Sequence, residues 1–392
     1  MLTSEIRSNN AFTYQRINFI FKKHICIQNI KEWMKRGYAT MTMSTALNKE
    51  ALYLRRPQRL RLGVGGAPFG NLYKAMTDEE CFSIVHTMLE NGCNVIDTAP
   101  FYGFGLSERR LGGVFRSCSQ FPERTVISTK VGRVLEADSS GFTSKSSDGF
   151  INCDPMSAQF DYSYEGIMRS FEGSIARLGR NPDILLIHDI GEYTHGSDNQ
   201  QYMKQLEQSG FLALEELKAT GDISAIGVGA NETEACQTLL GLFPLDCILL
   251  AGRFSLLEHT ASLPLLTQCQ QRGIQVYAGG IYNSGILASG SSGRTPFYNY
   301  QVAPVEVVQK VNALAAVCDE YNVPLAALAM QFVLSHPVIT AVVPGMSSLT
   351  EASQNLAYFD THIDTEVWET LRELNLLAAD YLSLQEAFCA NN

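Results

Sequence analysis

Eight short apolar runs alternate with amphipathic helical patterns over roughly 300 residues, and that alternation predicts an α/β chain of the (β/α)8 barrel type. The runs are LRLGVGG (60–66), NVIDTA (94–99), TVISTKVG (125–132), DILLIHD (183–189), ISAIGVG (223–229), CILLAGRF (247–254), IQVYAGG (274–280) and ITAVVPG (339–345). Most are continuously apolar, as parallel strands covered on both faces require. Between them, Tyr164, Ile167, Met168, Phe171, Ile175 and Leu178 fall at helical spacing over 164–178. Val307, Val308, Val311, Leu314, Ala315 and Cys318 do the same over 304–322, and Pro324 opens the next helix. A doubly wound sheet is the alternative. No GxGxxG follows the first run, and the glycines of GVGGAPFG (63–70) are wrongly spaced for a dinucleotide fingerprint.

The organisation expected is one barrel domain over 56–385 preceded by an extension over 1–55. The first 40 residues hold seven Lys/Arg and only two acids, against a net charge of −10 for the whole 392-residue chain. A basic, acid-poor leader fits a mitochondrial presequence ending near Tyr38 in RGYAT (36–40). The other readings are an unstructured leader, a true start at Met41 or Met43, and a cytoplasmic protein. The overall negative charge disfavours nucleic acid and anionic membranes as partners and leaves small molecules. No run reaches the roughly 20 apolar residues that span a bilayer, and PLAALAMQFVL (324–334) reads as a core helix. Ten scattered cysteines, with no CxxC and no Cys/His cluster, read as reduced thiols, and no metal site is expected. Residues 133–162 are polar and long for a strand-to-helix loop, which places them over the face where barrel active sites form.

Four ionisable groups sit at the C-terminal ends of these runs. Asp97 and Tyr102 follow the second, Lys130 ends the third and His188 ends the fourth. Charged groups inside apolar strands are costly unless paired, and in a barrel these strand ends share one rim. Asp97 is then the partner of Lys130, and Lys130 faces the Tyr102 hydroxyl. A free phenol ionises near 10, and an adjacent ammonium would lower that value. His188 would hydrogen-bond the same substrate oxygen. Such a phenol suits proton exchange coupled to hydride transfer between a carbonyl and an alcohol.

The stretches VIDTAPFYGFGLSERRLG (95–112), VISTKVGR (126–133), ARLGRNPDILLIHD (176–189), IGVGANE (226–232) and VVPGMSSLTEASQN (342–355) resemble, in order and spacing, the motifs of the aldo-keto reductase family. The resemblance implies a (β/α)8 barrel with an extended nicotinamide cofactor at the strand C-termini. It implies a catalytic tetrad of Asp97, Tyr102, Lys130 and His188, with Tyr102 the proton donor or acceptor. QFDYSYEGIMRSFEGS (159–174), LLAGRFSLLEH (249–259) and GGIYNSGIL (279–287) resemble the aldose 1-dehydrogenase branch. That branch implies oxidation of an anomeric C1 hydroxyl to the lactone, on D-threo-aldoses, L-fucose, D-arabinose or L-galactose, with Tyr102 as general base. Loops 133–162 and 191–196 would supply hydrogen bonds to the sugar. The alternatives are a pyridoxal 4-dehydrogenase, a general aldehyde or ketone reductase, and a cofactor-binding regulatory subunit.

Cofactor contacts carried over by the same resemblance are Asn231, Gly280, Tyr282, Ser284, Gly285, Pro344, Ser347, Glu351, Gln354 and Asn355, with Ser348 beside them. The sequence departs from the family pattern where an aromatic usually stacks on the nicotinamide, since Gly279 stands there. Ala251 replaces an expected glutamine, with Arg253 close by. Gly345 and Glu351 occupy places where cations hold a 2′-phosphate in NADP-binding members. A carboxylate repels that phosphate and welcomes ribose hydroxyls, so NAD is expected in preference to NADP.

Overall fold

The computed structural model describes residues 61–117, 125–137, 149–291, 293 and 295–378. The expected N-terminal extension, with its targeting signal and alternative starts, lies outside the described residues. So do 138–148 of the long third loop and the end of the expected barrel domain beyond 378.

Eight parallel strands form the barrel: β1 (Val64–Gly65), β2 (Val95–Asp97), β3 (Val126–Val131), β4 (Ile184–His188), β5 (Ala225–Ala230), β6 (Cys247–Ala251), β7 (Gln275–Gly279) and β8 (Ile339–Val343). They pair in sequence order, and parallel bridges Leu62↔Val342 and Gly65↔Gly345 join the first strand to the last. Each coincides with an apolar run recognised from sequence, β5 passing the end of its run by one residue, Ala230. The helices that follow them are α1 (Asp78–Glu90), α2 (Leu106–Ser117), α3 (Tyr164–Leu178), α4 (Phe211–Thr220), α5 (Thr233–Leu242), α6 (Leu263–Arg272), α7 (Val305–Glu320), α8 (Leu325–Leu334), α9 (Leu349–Asp360) and α10 (Thr365–Glu373). Their ends are chemically marked. Thr77 and Glu80 close a reciprocal capping box on α1. Ser163 caps α3, which stops at the left-handed Gly179. Pro324 stands at the N-cap of α8, whose residues are almost all buried, as a core helix requires. No single described helix is long and apolar enough to cross a membrane.

Two apolar layers hold the barrel. The larger lies between strands and helices and includes Ile96, Ile127, Leu185, Ile187, Val228 and Leu250. The smaller fills the barrel itself with Val95, Ile184, Leu186, Ala225, Cys247, Leu249, Tyr277, Ala341 and Val343. Successive strand side chains point to opposite faces, so inward positions recur every second residue. Extending each inward set by one step reaches the C-terminal rim. Val95 leads to Asp97, Val126 and Ser128 lead to Lys130, and Ile184 and Leu186 lead to His188. The same step on β5, β6 and β7 reaches Gly229, Ala251 and Gly279. One half of the rim therefore carries ionisable groups and the other half carries almost no side chain.

The long third loop has structure of its own. Arg133–Ala137 and Met156–Phe160 form an antiparallel pair that continues from β3. A second small antiparallel pair, Phe297–Tyr298 with Gln301–Val302, stands between β7 and α7. The seven described cysteines are free, and all but Cys153 are buried. Among the described residues no group of His, Cys, Asp and Glu side chains is arranged to hold a metal ion.

His336, after α8, lies against Phe254 and accepts the Val338 N–H at Nδ1, 3.3 Å away. Burial pushes its pKa down to about 4. The unfolded chain takes up this proton first, near pH 6.5, so the contribution of His336 to stability is present above 6.5 and is lost as pH falls towards 4. A His336→Asn variant keeps an acceptor for Val338 and removes the titration. Its urea midpoint should fall less between pH 6.5 and 4 than that of the parent.

Candidate active site

The centre of the site is a buried ion pair. Lys130 Nζ lies 2.7 Å from Asp97 Oδ2 and donates to the Thr98 carbonyl at 2.8 Å. Ser128 Oγ donates to the other Asp97 oxygen at 2.7 Å. Lys130 is 1% exposed and Asp97 4%. The strand register makes this possible: β2 places Asp97 opposite Ser128, two residues before Lys130 on β3. Gly229 makes room for the lysine stem, since a Cβ there would lie 3.3 Å from Lys130 Cε.

Tyr102 is set by the turn after β2. Gly103 has φ +64, and a Cβ on it would come within 2.4 Å of the Gly70 carbonyl oxygen. The 102–103 backbone thus packs directly on the loop after β1, and only glycine fits there. Lys130 Nζ stands 4.6 Å from the centroid of the Tyr102 ring. Behind the turn, Arg110 of α2 donates to the Phe69 and Met76 carbonyls and pairs with Asp78, pinning the β1–α1 loop. Glu108, fully buried, joins Thr129 to Arg177. Through these two residues α2 braces the loops and strands around the site.

The sequence argument expected Lys130 to lower the pKa of Tyr102. The structure reverses that direction: the phenol lies well above its ordinary value, through burial first and then the negative groups Asp97 and Asp189 and the phenol of Tyr300, with Arg133 opposing. The physical reason is that Asp97 already balances the lysine charge. The phenol therefore keeps its proton at neutral pH.

His188, 4% exposed, faces the Tyr102 ring edge-on with centroids 6.0 Å apart. Burial, then Arg133 and Lys130, push its pKa well below 6.5, so the ring is neutral. Its Nε2 lies 3.2 Å from Asp189 Oδ2, while Nδ1 has no hydrogen-bond partner among the described residues. Tyr162 donates to the His188 carbonyl at 2.6 Å and shares a 3.0 Å hydrogen bond with His195 Nε2. Gly132 (φ +100) is required here, because a Cβ would overlap the Tyr162 ring at 2.2 Å. His195, from the loop expected to contact a sugar, is thus turned inward onto Tyr162.

The wall beside Tyr102 and His188 is aromatic. Phe101 meets Phe104 and Phe150 edge-on at 5.6 and 5.5 Å, and Phe150 lies 6.2 Å from the Tyr102 ring. Arg133 stacks over Phe101 at 3.9 Å and Phe160 at 4.9 Å. Sequence reasoning missed Phe101, Phe150, Arg133, Asp189 and Tyr162. The dipeptide His188–Asp189 was visible, but nothing local showed which way the aspartate turned.

The expected cofactor residues gather along the other half of the rim. Gly280 (φ +59), Asn283, Ser284 and Gly285 (φ +89) form a left-handed turn after β7. Tyr282 donates to Asn355 Oδ1 on α9 at 2.6 Å, so it ties the two loops together. Asn355 also donates to the Glu351 carbonyl, which makes it a tether within the protein. Ser347 donates to the Glu351 carboxylate from N–H (2.6 Å) and Oγ (3.1 Å), and Ser348 Oγ caps Glu351 N–H. Gln354 is exposed and Pro344 buried. Asn231, further round, donates to the Tyr300 hydroxyl at 3.3 Å, and Ser284 Oγ accepts from Tyr300 N–H. Arg253 turns away to Glu258 and Asn299.

A nicotinamide dinucleotide fits this half of the rim. Ala251 and Gly279 lie side by side in register and leave the floor free of bulky side chains. The buried Asn283 Oδ1 has no hydrogen-bond partner among the described residues, and the Asn231 amide lies at the open edge.

The comparisons agree with this geometry. Residues 61–376 match the model of the aldo/keto reductase family. A pyridoxal 4-dehydrogenase of Microbacterium luteolum is 39% identical over 326 residues, 81% of this chain and 94% of that protein. A D-threo-aldose 1-dehydrogenase of a Pseudomonas species is 33% identical over 321 residues, 81% of this chain and 94% of that protein. Among solved structures, a holo aldo-keto reductase of Bacillus halodurans superposes with a TM-score of 0.62 at 21% identity, over 81% of this chain and 92% of that one. An aldo/keto reductase of Klebsiella pneumoniae, complexed with NADP and acetate, gives 0.57 at 20% identity, over 81% and 92%. A closed eight-stranded barrel, a Lys130–Asp97 pair beside Tyr102 and His188, and a family match over nearly every described residue lead to one conclusion: this chain belongs to the aldo/keto reductase family and is an NAD(P)-dependent oxidoreductase.

Proposed function

We propose that the enzyme oxidises a cyclic hemiacetal to its lactone, and that the hemiacetal is flat and aromatic, of the pyridoxal type. The observation that carries the substrate is the wall of Phe101, Phe104 and Phe150 around Tyr102. Aromatic rings stack favourably on such walls, whereas a sugar needs several polar partners. The 39% identity to a pyridoxal 4-dehydrogenase supports the same reading. Oxidation of an aldose at C1 is the second reading, supported by the 33% identity to a D-threo-aldose 1-dehydrogenase.

The bound nicotinamide would supply the hydride acceptor. Around it, the protein's own groups have distinct tasks. Tyr102 hydrogen-bonds the reacting oxygen and exchanges its proton. In the reducing direction the neutral phenol donates; in oxidation Tyr102 first gives up its own proton to solvent, and the phenolate oxygen then takes the hydroxyl proton. Lys130 holds the charge that Tyr102 loses or gains, and Asp97 holds Lys130. His188 fixes the direction of the oxygen, and the aromatic wall excludes water.

NAD is the proposed preferred cofactor. Residues 344–360 contain no lysine or arginine. The Glu351 carboxylate is fixed beside Ser347, where a 2′-phosphate would meet repulsion.

One panel tests these assignments: purified protein with NAD or NADP against pyridoxal, L-fucose, D-arabinose and L-galactose. The expected outcome is the highest kcat/KM with pyridoxal and NAD. A sugar preferred over pyridoxal would overturn the aromatic assignment, and a preference for NADP would overturn the role given to Glu351. Tyr102→Phe should cut kcat by about 10²–10⁴-fold and leave NADH affinity, read by calorimetry, unchanged.

A further inference from the structure

The strand pair Phe297–Tyr298 and Gln301–Val302 is joined by two residues, Asn299 (φ +49) and Tyr300 (φ +62), both left-handed. In such tight hairpin turns Asn-Gly is the favoured pair, because glycine takes a positive φ without strain. Here Tyr300 stands in the place of the glycine, where a bulky side chain is strained. Four polar anchors fix the turn over the bare half of the rim. Tyr298 donates to Glu258 and Arg253 donates to Asn299, both from the loop after β6. Tyr300 N–H donates to Ser284 Oγ, after β7, at 3.0 Å. Its hydroxyl accepts from Asn231, after β5, at 3.3 Å. Since β6 lies between β5 and β7, the phenol is strung across the end of β6. The last inward positions there are Gly229, Ala251 and Gly279, which present no aromatic face. Although held at both ends, Tyr300 is 54% exposed, so its ring keeps open surface. Burial of the hydroxyl end raises its pKa, the Asn231 hydrogen bond opposes, and Asp189 adds to the rise, which sets the phenol's tip near the catalytic centre.

We propose that Tyr300 is a cofactor-binding residue whose ring stacks on the nicotinamide over the ends of β5, β6 and β7. A planar ring lying on Ala251 and Gly279 meets only backbone and a methyl group from the barrel itself. Tyr300 is the aromatic group that the anchors bring to that place, and ring-on-ring contact is favourable whatever the substituents. A two-stranded hairpin is too weak to hold such a plate unaided, and the four anchors supply the rigidity. The left-handed tyrosine is then accounted for. Glycine would ease the turn and would leave this half of the rim with no aromatic face. The inference rests on the nicotinamide dependence of the enzyme and not on its substrate or on the choice between NAD and NADP.

The test is calorimetry on the full-length protein with NADH and with ADP-ribose, which lacks only the nicotinamide. Tyr300→Leu should lose about tenfold in affinity for NADH and nothing for ADP-ribose. Tyr300→Phe keeps the ring without the hydroxyl and should stay within about twofold of the parent for both. Tyr300→Gly restores the favoured pair of the turn, so it keeps the hairpin and should bind as Tyr300→Leu does. If Tyr300→Leu disturbs the hairpin, Tyr300→Gly decides. Unchanged or tighter NADH binding in the glycine variant overturns the proposal, as does an equal loss for NADH and ADP-ribose. A loss in Tyr300→Phe as large as in Tyr300→Gly assigns the effect to the hydroxyl on Asn231 and overturns it too. Unchanged NADH binding with a raised KM for pyridoxal would put the ring against the substrate, which also contradicts it. If the parent binds NADPH and not NADH, NADPH and 2′-phospho-ADP-ribose take their places, so a wrong cofactor preference and a wrong role for Tyr300 fail separately.

Discussion

The site depends on one interaction, the buried pair between Lys130 and Asp97. A lysine 1% exposed at the mouth of an apolar barrel is tolerable only with a carboxylate at 2.7 Å and a carbonyl at 2.8 Å. Breaking such a pair by removing one partner costs on the order of 3–5 kcal/mol. The pair links β2 to β3, sets the height of the lysine under the Tyr102 ring and leaves the phenol facing a charge that is already balanced. Gly229 leaves space for the Lys130 stem, while Gly103 and Gly132 make room for the Tyr102 turn against Gly70 and for the Tyr162 ring beside His188.

The rim around that pair is divided in two. On β2, β3 and β4 the last inward positions are Asp97, Lys130 and His188. On β5, β6 and β7 they are Gly229, Ala251 and Gly279. In the proposed function the first half does the proton chemistry, and the second offers a nearly bare floor on which a planar ring can lie. The absence of an aromatic at 279 fits this division, because a Cβ there would already lie 3.2 Å from Leu249. Phe101, Phe104 and Phe150 bring the aromatic surface to the opposite side, next to the reacting groups. On the proposed function, substrate selection and cofactor binding occupy different halves of one ring of strand ends.

The barrel was legible in the sequence because parallel strands buried on both faces leave continuous apolar runs, and all eight were visible. The grouping of Asp97, Tyr102, Lys130 and His188 was legible because ionisable residues at the ends of such runs stand out against their neighbours. Asp189 and Arg133 were not, because their places depend on a positive φ at 189 and on a strand pair inside a segment that read as polar loop. The direction of the Tyr102 shift was missed for a different reason. Proximity to Lys130 was inferred correctly, but the compensation by Asp97 and the cost of burial are three-dimensional quantities. Asn355 and Arg253 read as ligand contacts or near neighbours, while in the fold they serve as tethers to Tyr282 and Glu258.

The central claim is that Lys130 acts on Tyr102 and that Asp97 is there for Lys130. Turnover of Lys130→Met in an Asp97→Asn background measures this most directly, because the double variant removes both charges and leaves no unpaired ion in the core. The account predicts a folded barrel that binds NADH as the parent does and has lost about 10²–10⁴-fold in kcat. A double variant that folds, binds NADH and keeps kcat within an order of magnitude of the parent would contradict it.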